Sequence, residues 1–378
     1  MKKIFICAGE LSGDKLGAGL IKAAKALDPN IEFYGVAGPA MIAAGCKNLY
    51  PIETLSVMGV LEIIPKLPKI LKMRKQIIEQ LIKDPPDMYI GIDSPDFNLP
   101  IEAKLKQHNI KTVHYVCPSV WAWREGRVKK IRKAADLVLC VLPFEKDFLA
   151  KHHIKAEFVG HRSADILPNL ITQKEAREQL AIEQSAKVIT ILPGSRRGEI
   201  ARMMQPFLQT AQWCYQKNND LQFIIAAANQ TIADQINQII NQHSYSFSCK
   251  IIINQTYAAI KAADAVLATS GTVTLETFLL DKPMVVAYKT SLFNWLLVNL
   301  LVKVKYAALP NLLADKEIIP EFLQNAATPE NMGPALMKWL NDEAAGSALK
   351  KEYNLILNQL KCNADNQAAK SVLACLTT

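Results

Sequence analysis

No uncharged apolar run in this sequence reaches the roughly 20 residues that a membrane-crossing helix needs. The N-terminal apolar stretch, residues 4–8, is shorter than the apolar region of a signal peptide, and Glu10 follows it at once. These absences set the expectation of a cytoplasmic chain. CxxC pairs are also missing. The eight cysteines are scattered, and Cys7, Cys117 and Cys140 lie inside apolar strand-like runs. That placement reads as buried free thiols, against disulfides or a zinc site. The six histidines show no HExxH or related ligand spacing. Internal repeats and low-complexity segments are lacking as well.

The 378 residues suffice for two ordinary domains, and half of them are apolar, enough for sizeable cores. Lysine and arginine outnumber the acids, giving a net charge of +9. That balance favours a polyanionic partner: nucleic acid, a nucleotide or a phospholipid surface.

Short apolar runs alternate with longer amphipathic ones. Strands are expected at 4–8, 32–36, 88–92, 112–117, 137–142 and 157–159, with a helix over 15–27. Their continuous apolar character is that of a parallel sheet covered on both faces. A polar stretch at 163–173, holding Pro168, interrupts the rhythm. It restarts with strands at 187–192, 221–227, 250–253, 265–268 and 283–287 and a helix over 199–217. The reading is α/β: two successive sheets, with ligands at the carboxyl ends of their strands and a cleft between the domains as the expected site. The final residues, 348–378, read as helical without a strand partner.

Four strand ends carry candidate chemistry. The first is Gly9-Glu10-Leu11-Ser12-Gly13-Asp14, a glycine-bearing turn that lets backbone N–H groups approach a ligand, although turn glycines without that duty are as common. The second is Asp93-Ser94-Pro95-Asp96-Phe97-Asn98. Asp93 can either accept a proton from a sugar hydroxyl or cap the following helix, while capping is the better reading of Asp96. The third is Pro193-Gly194-Ser195-Arg196-Arg197, an anion site in which helix-start amides and an arginine suit a diphosphate. The fourth is Ser270-Gly271-Thr272, opening a helix on which Glu276 could accept from ribose hydroxyls. Trp121 and Trp123 beside Arg124 suit a surface for sugar or acyl chain, with core packing the alternative for either tryptophan alone. The basic residues from Arg127 to Lys133 read as a solvated helix face.

Residues 57–75, VMGVLEIIPKLPKILKMRK, set apolar positions against Lys66, Lys69, Lys72, Arg74 and Lys75. An apolar face with basic flanks suits an interfacial helix on anionic lipid. The membrane-contact residues expected there are Val57, Met58, Ile63, Ile64, Leu67, Ile70 and Leu71, with Lys66, Lys69, Lys72 and Arg74. A second apolar run, 292–306, reads rather as a core helix.

Taken together, these segments resemble the lipid-A-disaccharide synthase family of GT-B glycosyltransferases. The resemblance runs through AGELSGD at 8–14, GVAGPAM at 35–41, VMGVLEI at 57–63, GIDSPDFN at 91–98, HYVCPSVWAWR at 114–124 and LPFEKDF at 142–148. It continues in LPGSRRGEI at 192–200, SGTVTLE at 270–276, LPNLLA at 309–314 and CNAD at 362–365. It implies a GT-B fold: two Rossmann-like domains facing across a cleft, 1–168 acceptor- and membrane-facing and 169–345 UDP-binding, with a helical tail at 346–378. It implies an inverting transfer from UDP-2,3-diacylglucosamine to 2,3-diacylglucosamine 1-phosphate, giving a β-1,6-linked lipid A disaccharide phosphate and UDP. Asp93 would be the base. Gly194, Ser195, Arg196, Ser270, Gly271, Thr272 and Glu276 would hold UDP, with Asn311 near them. Glu10, Ser12, Gly13 and Asp14 would orient sugar, with Trp121, Trp123 and Arg124 beside the substrate. No DxD motif stands where a metal would hold a sugar-nucleotide, so no metal or other cofactor is expected, and arginine and helix N-termini would supply the positive charge. Peripheral association with the inner membrane of a Gram-negative cell is implied. Homodimerisation, and whether the tail folds on its own chain or on a partner's, stay open.

The competing enzyme reading is another UDP-sugar enzyme of the same fold, such as an N-acetylglucosamine epimerase. That reading gives no reason for the basic, apolar 57–75 segment. A basic nucleic-acid-binding module would need clustered aromatics on a basic strand face or a helix-turn-helix, and the sequence offers neither.

Overall fold

A computed structural model describes residues 2–55, 60–122, 125–291, 295 and 304–377, the side chains of 60–65 and 125 excepted. Val57, Met58, Trp123 and Arg124 therefore lie outside the described residues, as do the side chains of Ile63 and Ile64 and most of the 292–306 run. The chain divides into two compact units, Met1–Asp165 with Gln359–Thr378, and Ile166–Asn358.

The first unit holds a seven-stranded parallel sheet of β1 (Lys2–Ala8), β2 (Ile31–Ala37), β3 (Cys46–Pro51), β4 (Met88–Ile92), β5 (Lys111–Tyr115), β6 (Leu137–Cys140) and β7 (Ala156–Phe158). Its order is β3-β2-β1-β4-β5-β6-β7, so the direction of winding reverses between β1 and β4. Strands β4 and β6 are buried at every position, as expected for a sheet covered on both faces. The covering helices are α1 (Leu11–Leu27), α2 (Pro39–Ala43), α3 (Val60–Lys83), α4 (Pro95–Lys106), α5 (Val128–Ala134), α6 (Pro143–Ala150) and α7 (Arg162–Ile166). Helix α1 lies close because Gly17 has no side chain: a Cβ there would stand 2.5 Å from Met41 Sδ and 2.9 Å from Ile92 Cδ1.

The second unit repeats the plan with six strands, β8 (Val188–Leu192), β9 (Gln222–Ala227), β10 (Cys249–Ile253), β11 (Ala265–Thr269), β12 (Met284–Tyr288) and β13 (Glu321–Leu323). The order β10-β9-β8-β11-β12-β13 reverses between β8 and β11. Its described helices are α8 (Gln173–Gln179), α9 (Arg197–Lys217), α10 (Gln230–Asn241), α11 (Thr256–Ala262), α12 (Thr272–Leu279), α13 (Leu309–Ala314), α14 (Pro329–Asn341) and α15 (Glu343–Leu360). Buried Arg177 fixes α8 to the foot of this sheet. Its guanidinium reaches both oxygens of Asp264 at 3.1 and 3.0 Å, and Asp264 also accepts from Val188 N at 2.8 Å.

The C-terminal segment, expected as a separate tail from 346, instead divides between the units near residue 358. Its last helix, α16 (Ala364–Thr377), packs on α1 of the first unit. Asp165 accepts from Asn363 N and Ala364 N at 3.0 and 2.7 Å, capping α16. Arg162 Nε lies 3.1 Å from both oxygens of Asp365, and Asp365 rests on Gly19, where a Cβ would meet it at 2.2 Å.

Candidate active site

In open parallel sheets ligands bind beyond the carboxyl ends of the strands, where the strand order reverses. The two reversals lie at β1/β4 and β8/β11, and the four candidate strand ends follow these four strands.

At the β8/β11 reversal the second unit has a cavity of about 490 Å³. Gly194, Ser195, Arg196, Ser270, Gly271, Thr272 and Glu276 all line it, with Glu199, Thr256 and Tyr288. Gly194 has φ +111, and a Cβ there would stand 2.6 Å from Glu199 Oε2, so the turn needs glycine for both conformation and space. Glu199 Oε2 accepts from Ser195 N at 3.1 Å and Arg196 N at 3.2 Å. The amides expected to receive a diphosphate are therefore held by the chain's own carboxylate in a capping box. Arg196 projects from the same turn, 77% exposed and 3.7 Å from Glu199 Oε1. Across the reversal α12 begins at Thr272, and like any helix start its first amides lack intrahelical acceptors. Gly271 has open space where a Cβ would stand, which leaves room for a ligand against the backbone. Glu276 Oε1 accepts from Tyr257 Oη at 3.0 Å, which fixes this carboxylate on the cavity wall. Burial, with the charge of Glu276 adding to it, pushes the Tyr257 phenol up to about 12.

Asn311, expected near this site, does not line the cavity. It is buried, and its amide donates to Ile319 O and Glu321 Oε1 at 2.8 and 2.7 Å and accepts from Ile318 N and Ile319 N at 2.8 and 3.0 Å. Four hydrogen bonds commit it to the approach to β13.

At the β1/β4 reversal the chain leaves β4 through two consecutive left-handed residues, Asp93 (φ 50) and Ser94 (φ 45). Neither is glycine, and such backbone strain concentrates at functional sites. Buried Asn98 clamps the turn. Its Nδ2 donates to Asp93 O at 2.8 Å and Ile92 O at 3.3 Å, and its Oδ1 accepts from Tyr89 Oη at 2.8 Å. Gly9 ends β1 directly against the turn, where a Cβ would lie 2.0 Å from Ser94 Oγ. The two strand-end motifs thus pack on each other through an absent side chain. Glu10 and Ser12 are exposed beside them, whereas Gly13 is buried on Ile92 Cγ2.

Asp14 corrects the sequence reading. It is 2% exposed, and its carboxylate accepts from Gly38 N, Ala40 N and Met41 N at 2.9, 2.8 and 3.0 Å. It anchors the start of α2 instead of orienting sugar. Asp96 is exposed in the first turn of α4, where its carboxylate meets Arg127 at 3.2 Å and its carbonyl accepts from Arg74 at 3.3 Å.

A profile of the lipid-A-disaccharide synthetase family matches residues 4–372. A lipid-A-disaccharide synthase of Psychromonas ingrahamii is 46% identical over 371 residues, covering 98% of this chain and 97% of that protein. The Hahella chejuensis synthase is 45% identical over 370 residues, covering 98% and 93%. The chain belongs to the lipid-A-disaccharide synthetase family. It is a hexosyltransferase. Solved structures show the same fold at low identity. The UDP-GlcNAc 2-epimerase of Neisseria meningitidis bound to UDP-GlcNAc aligns with a TM-score of 0.63 at 13% identity, over 100% of both chains. An Anabaena protein in complex with UDP and glucose aligns with a TM-score of 0.55 at 14% identity, over 99% of both chains.

In this synthetase-family chain Trp121 is not presented as a free substrate platform. Its indole Nε1 donates to Glu145 Oε1 at 3.0 Å, and its ring stands edge-on to Phe144 at 4.9 Å. Glu145 is buried and also accepts from Val141 N and Leu142 N at 3.1 and 3.0 Å. Burial pushes this carboxyl up to about 7 against the pull of its N–H donors. Cys117, Cys140 and Glu145 are close enough to share a metal, but those three donors already face both carboxylate oxygens. Sequence reasoning missed Glu145, and also the buried pair of His114 Nδ1 with Glu102 Oε1 at 2.7 Å. Burial raises the Glu102 carboxyl, while His114 pulls it down. A histidine set among apolar neighbours, as in VHYV at 113–116, was the available signal.

Helix α3 divides along its length. Met73, Ile77 and Leu81 are buried at four-residue spacing in the sheet's core, with Ile70 packed beside them. Leu67 and Leu71 are 44% and 41% exposed, and Lys66, Lys69 and Lys72 are exposed around them. No described helix is long and apolar enough to cross a membrane.

Proposed function

We propose that this chain condenses UDP-2,3-diacylglucosamine with 2,3-diacylglucosamine 1-phosphate, forming a β-1,6 link with inversion at the anomeric carbon and releasing UDP. The observation that carries the reading is the lining of one cavity by seven of the residues expected to hold UDP, in a chain matched to the family over residues 4–372. UDP takes the cavity at the β8/β11 reversal. Arg196 and the first amides of α12 hold the diphosphate, and Glu276, steadied by Tyr257, accepts from the ribose hydroxyls.

Asp93 accepts the proton of the acceptor's 6-hydroxyl as that oxygen attacks the anomeric carbon. The bond from that carbon to the diphosphate breaks in the same step, and the charge developing on the leaving group is met by Arg196 and the helix dipole. The exposed leucine-and-lysine half of α3 rests on the anionic inner-membrane surface, from which both lipids are drawn.

A two-substrate radiolabel assay tests the reading: labelled disaccharide and UDP appear only when both lipids are present. UDP release from the donor alone, or epimerisation of the donor, refutes it. Asp93→Asn lowers turnover at least about 1,000-fold, in line with loss of a general base and its alignment, while UDP binds as before. Substantial activity in that variant overturns the base assignment.

A further inference from the structure

A groove of about 380 Å³ in the first unit is lined by Pro95, two residues beyond Asp93, and by residues of α4 and α5. Its floor is apolar, with Leu99, Val120 and Ile131 almost fully buried, and Ala103 forms part of the wall. Its rim is basic. Arg127 is paired with Asp96, whereas Lys130 and Lys133 are exposed and have no acidic partner among the described residues. The groove adjoins α3, whose Arg74 reaches Asp96 O. The cations of α5, which the sequence offers only as a solvated face, thus border an apolar channel.

We propose that this groove seats one acyl chain of the acceptor lipid, with Lys130 and Lys133 holding its phosphate; the inference rests on the transferase reading above. The occupant must be apolar over a length and anionic at one end, which is the chemistry of an acylated sugar phosphate and is foreign to a nucleotide. At about 30 Å³ per methylene, close to the volume of a water, the groove takes about a dozen carbons. Pro95, part of its lining, brings a lipid so held near the turn that carries Asp93.

The test compares acceptors carrying dodecanoyl and hexanoyl chains. Each methylene withdrawn from the groove weakens binding about fourfold, so the wild-type KM rises steeply on shortening. Ala103→Phe fills the groove. It raises KM for the dodecanoyl acceptor at least tenfold, raises KM for the hexanoyl acceptor less, leaves KM for the UDP-sugar unchanged, and so narrows the chain-length preference. The pair Lys130→Ala and Lys133→Ala, on exposed positions that do not endanger folding, raises KM for the acceptor at least tenfold and leaves the UDP-sugar KM unchanged. Unchanged acceptor KM in the lysine pair, or in a folded Ala103→Phe protein, overturns the proposal. So does an Ala103→Phe effect seen in vesicle binding but not in KM, which would assign the groove to bilayer phospholipid. Wild-type protein that makes no disaccharide refutes the transferase reading itself, an outcome distinct from either.

Discussion

Gly9→Ala is the sharpest perturbation of the turn proposed to carry the base, because it adds one methyl group and removes nothing. The new Cβ would stand 2.0 Å from Ser94 Oγ and 2.7 Å from Ser94 Cβ, where ordinary contacts begin at 3.4 Å. Rotation about Cα–Cβ can carry Oγ clear, but Cβ is fixed to the backbone, so the turn must move by about 0.7 Å, the difference between 2.7 and 3.4 Å, or β1 must shift against four residues of zero exposure before it, Phe5 to Ala8. Strands in a packed sheet yield less than a turn, so Ser94 moves and carries Asp93 with it. Misplacing a reacting group by about 1 Å costs about 100-fold in rate. Overpacking adds about 1–3 kcal/mol of instability. The expected result is a kcat at least about tenfold lower with UDP affinity within a factor of two, measured by disaccharide formation and by calorimetric UDP titration. Ser94→Gly supplies the control. Glycine adopts φ 45 without strain and has neither atom of the clash, so the Gly9→Ala/Ser94→Gly double variant recovers to the level of Ser94→Gly alone. A folded Gly9→Ala enzyme with kcat within threefold of wild type refutes the steric reasoning, as does a double variant that stays inactive.

Two further outcomes are expected elsewhere in the first unit. Leu67→Asp with Leu71→Asp, both on exposed positions, reduces co-sedimentation with anionic vesicles at least tenfold and leaves the melting temperature within about 2 °C, since surface changes usually fall within about 0.5 kcal/mol; unchanged sedimentation removes α3 from the membrane contact. Glu145 predicts a pH dependence of stability. Its carboxyl is raised to about 7 by burial, so the folded state binds more protons than the unfolded one between about 4.5 and 7, and stability present below that window is lost as pH rises through 7. The loss is at most about 3 kcal/mol. Denaturant unfolding of the wild type and of Glu145→Gln checks it, the variant lacking that slope; identical slopes show that another group carries it.

The central strands were legible because burial on both faces forces near-continuous apolar runs, as in MYIGI of β4 and LVLC of β6. The edge strands β3 and β13 were not. The sequence CKNLYP exposes most of its positions, and EFL is three residues of intermediate burial, so neither carries that signature. The lining of the cavity at the β8/β11 reversal was legible because small residues at a strand end are a local requirement. The hydrogen bonds of Asp14 and Asn311 were not legible because only the fold brings their partners, 24–27 and 7–10 positions away, to them. A carboxylate in a glycine turn looks the same in sequence whether it faces a sugar or the amides of Gly38 to Met41. The return of the last helix to α1 was hidden for the same reason, since the Arg162–Asp365 pair joins residues 203 positions apart.

Two acids of the chain occupy backbone amides near the reversal points, and under the proposed function the difference between them decides how UDP would enter. Asp14 is buried with three N–H bonds of 3.0 Å or less, so removing it would leave buried donors unsatisfied. Glu199 is 18% exposed and holds two amides through longer bonds of 3.1 and 3.2 Å. A diphosphate entering the cavity brings more negative charge than Glu199 and can displace it, at the cost of a capping interaction worth about 1 kcal/mol. Glu199→Gln keeps a side chain able to cap but removes the repulsion. In a partly exposed, salt-screened site that repulsion is on the order of 1 kcal/mol, so UDP should bind about fivefold tighter. Arg196→Ala should act the opposite way, weakening UDP by the 1.5–3 kcal/mol of a charge-assisted bond, about 10- to 150-fold. Calorimetric titration of both variants separates the alternatives. If Glu199→Gln binds UDP more weakly than wild type, Glu199 shapes the turn for the diphosphate and does not compete with it.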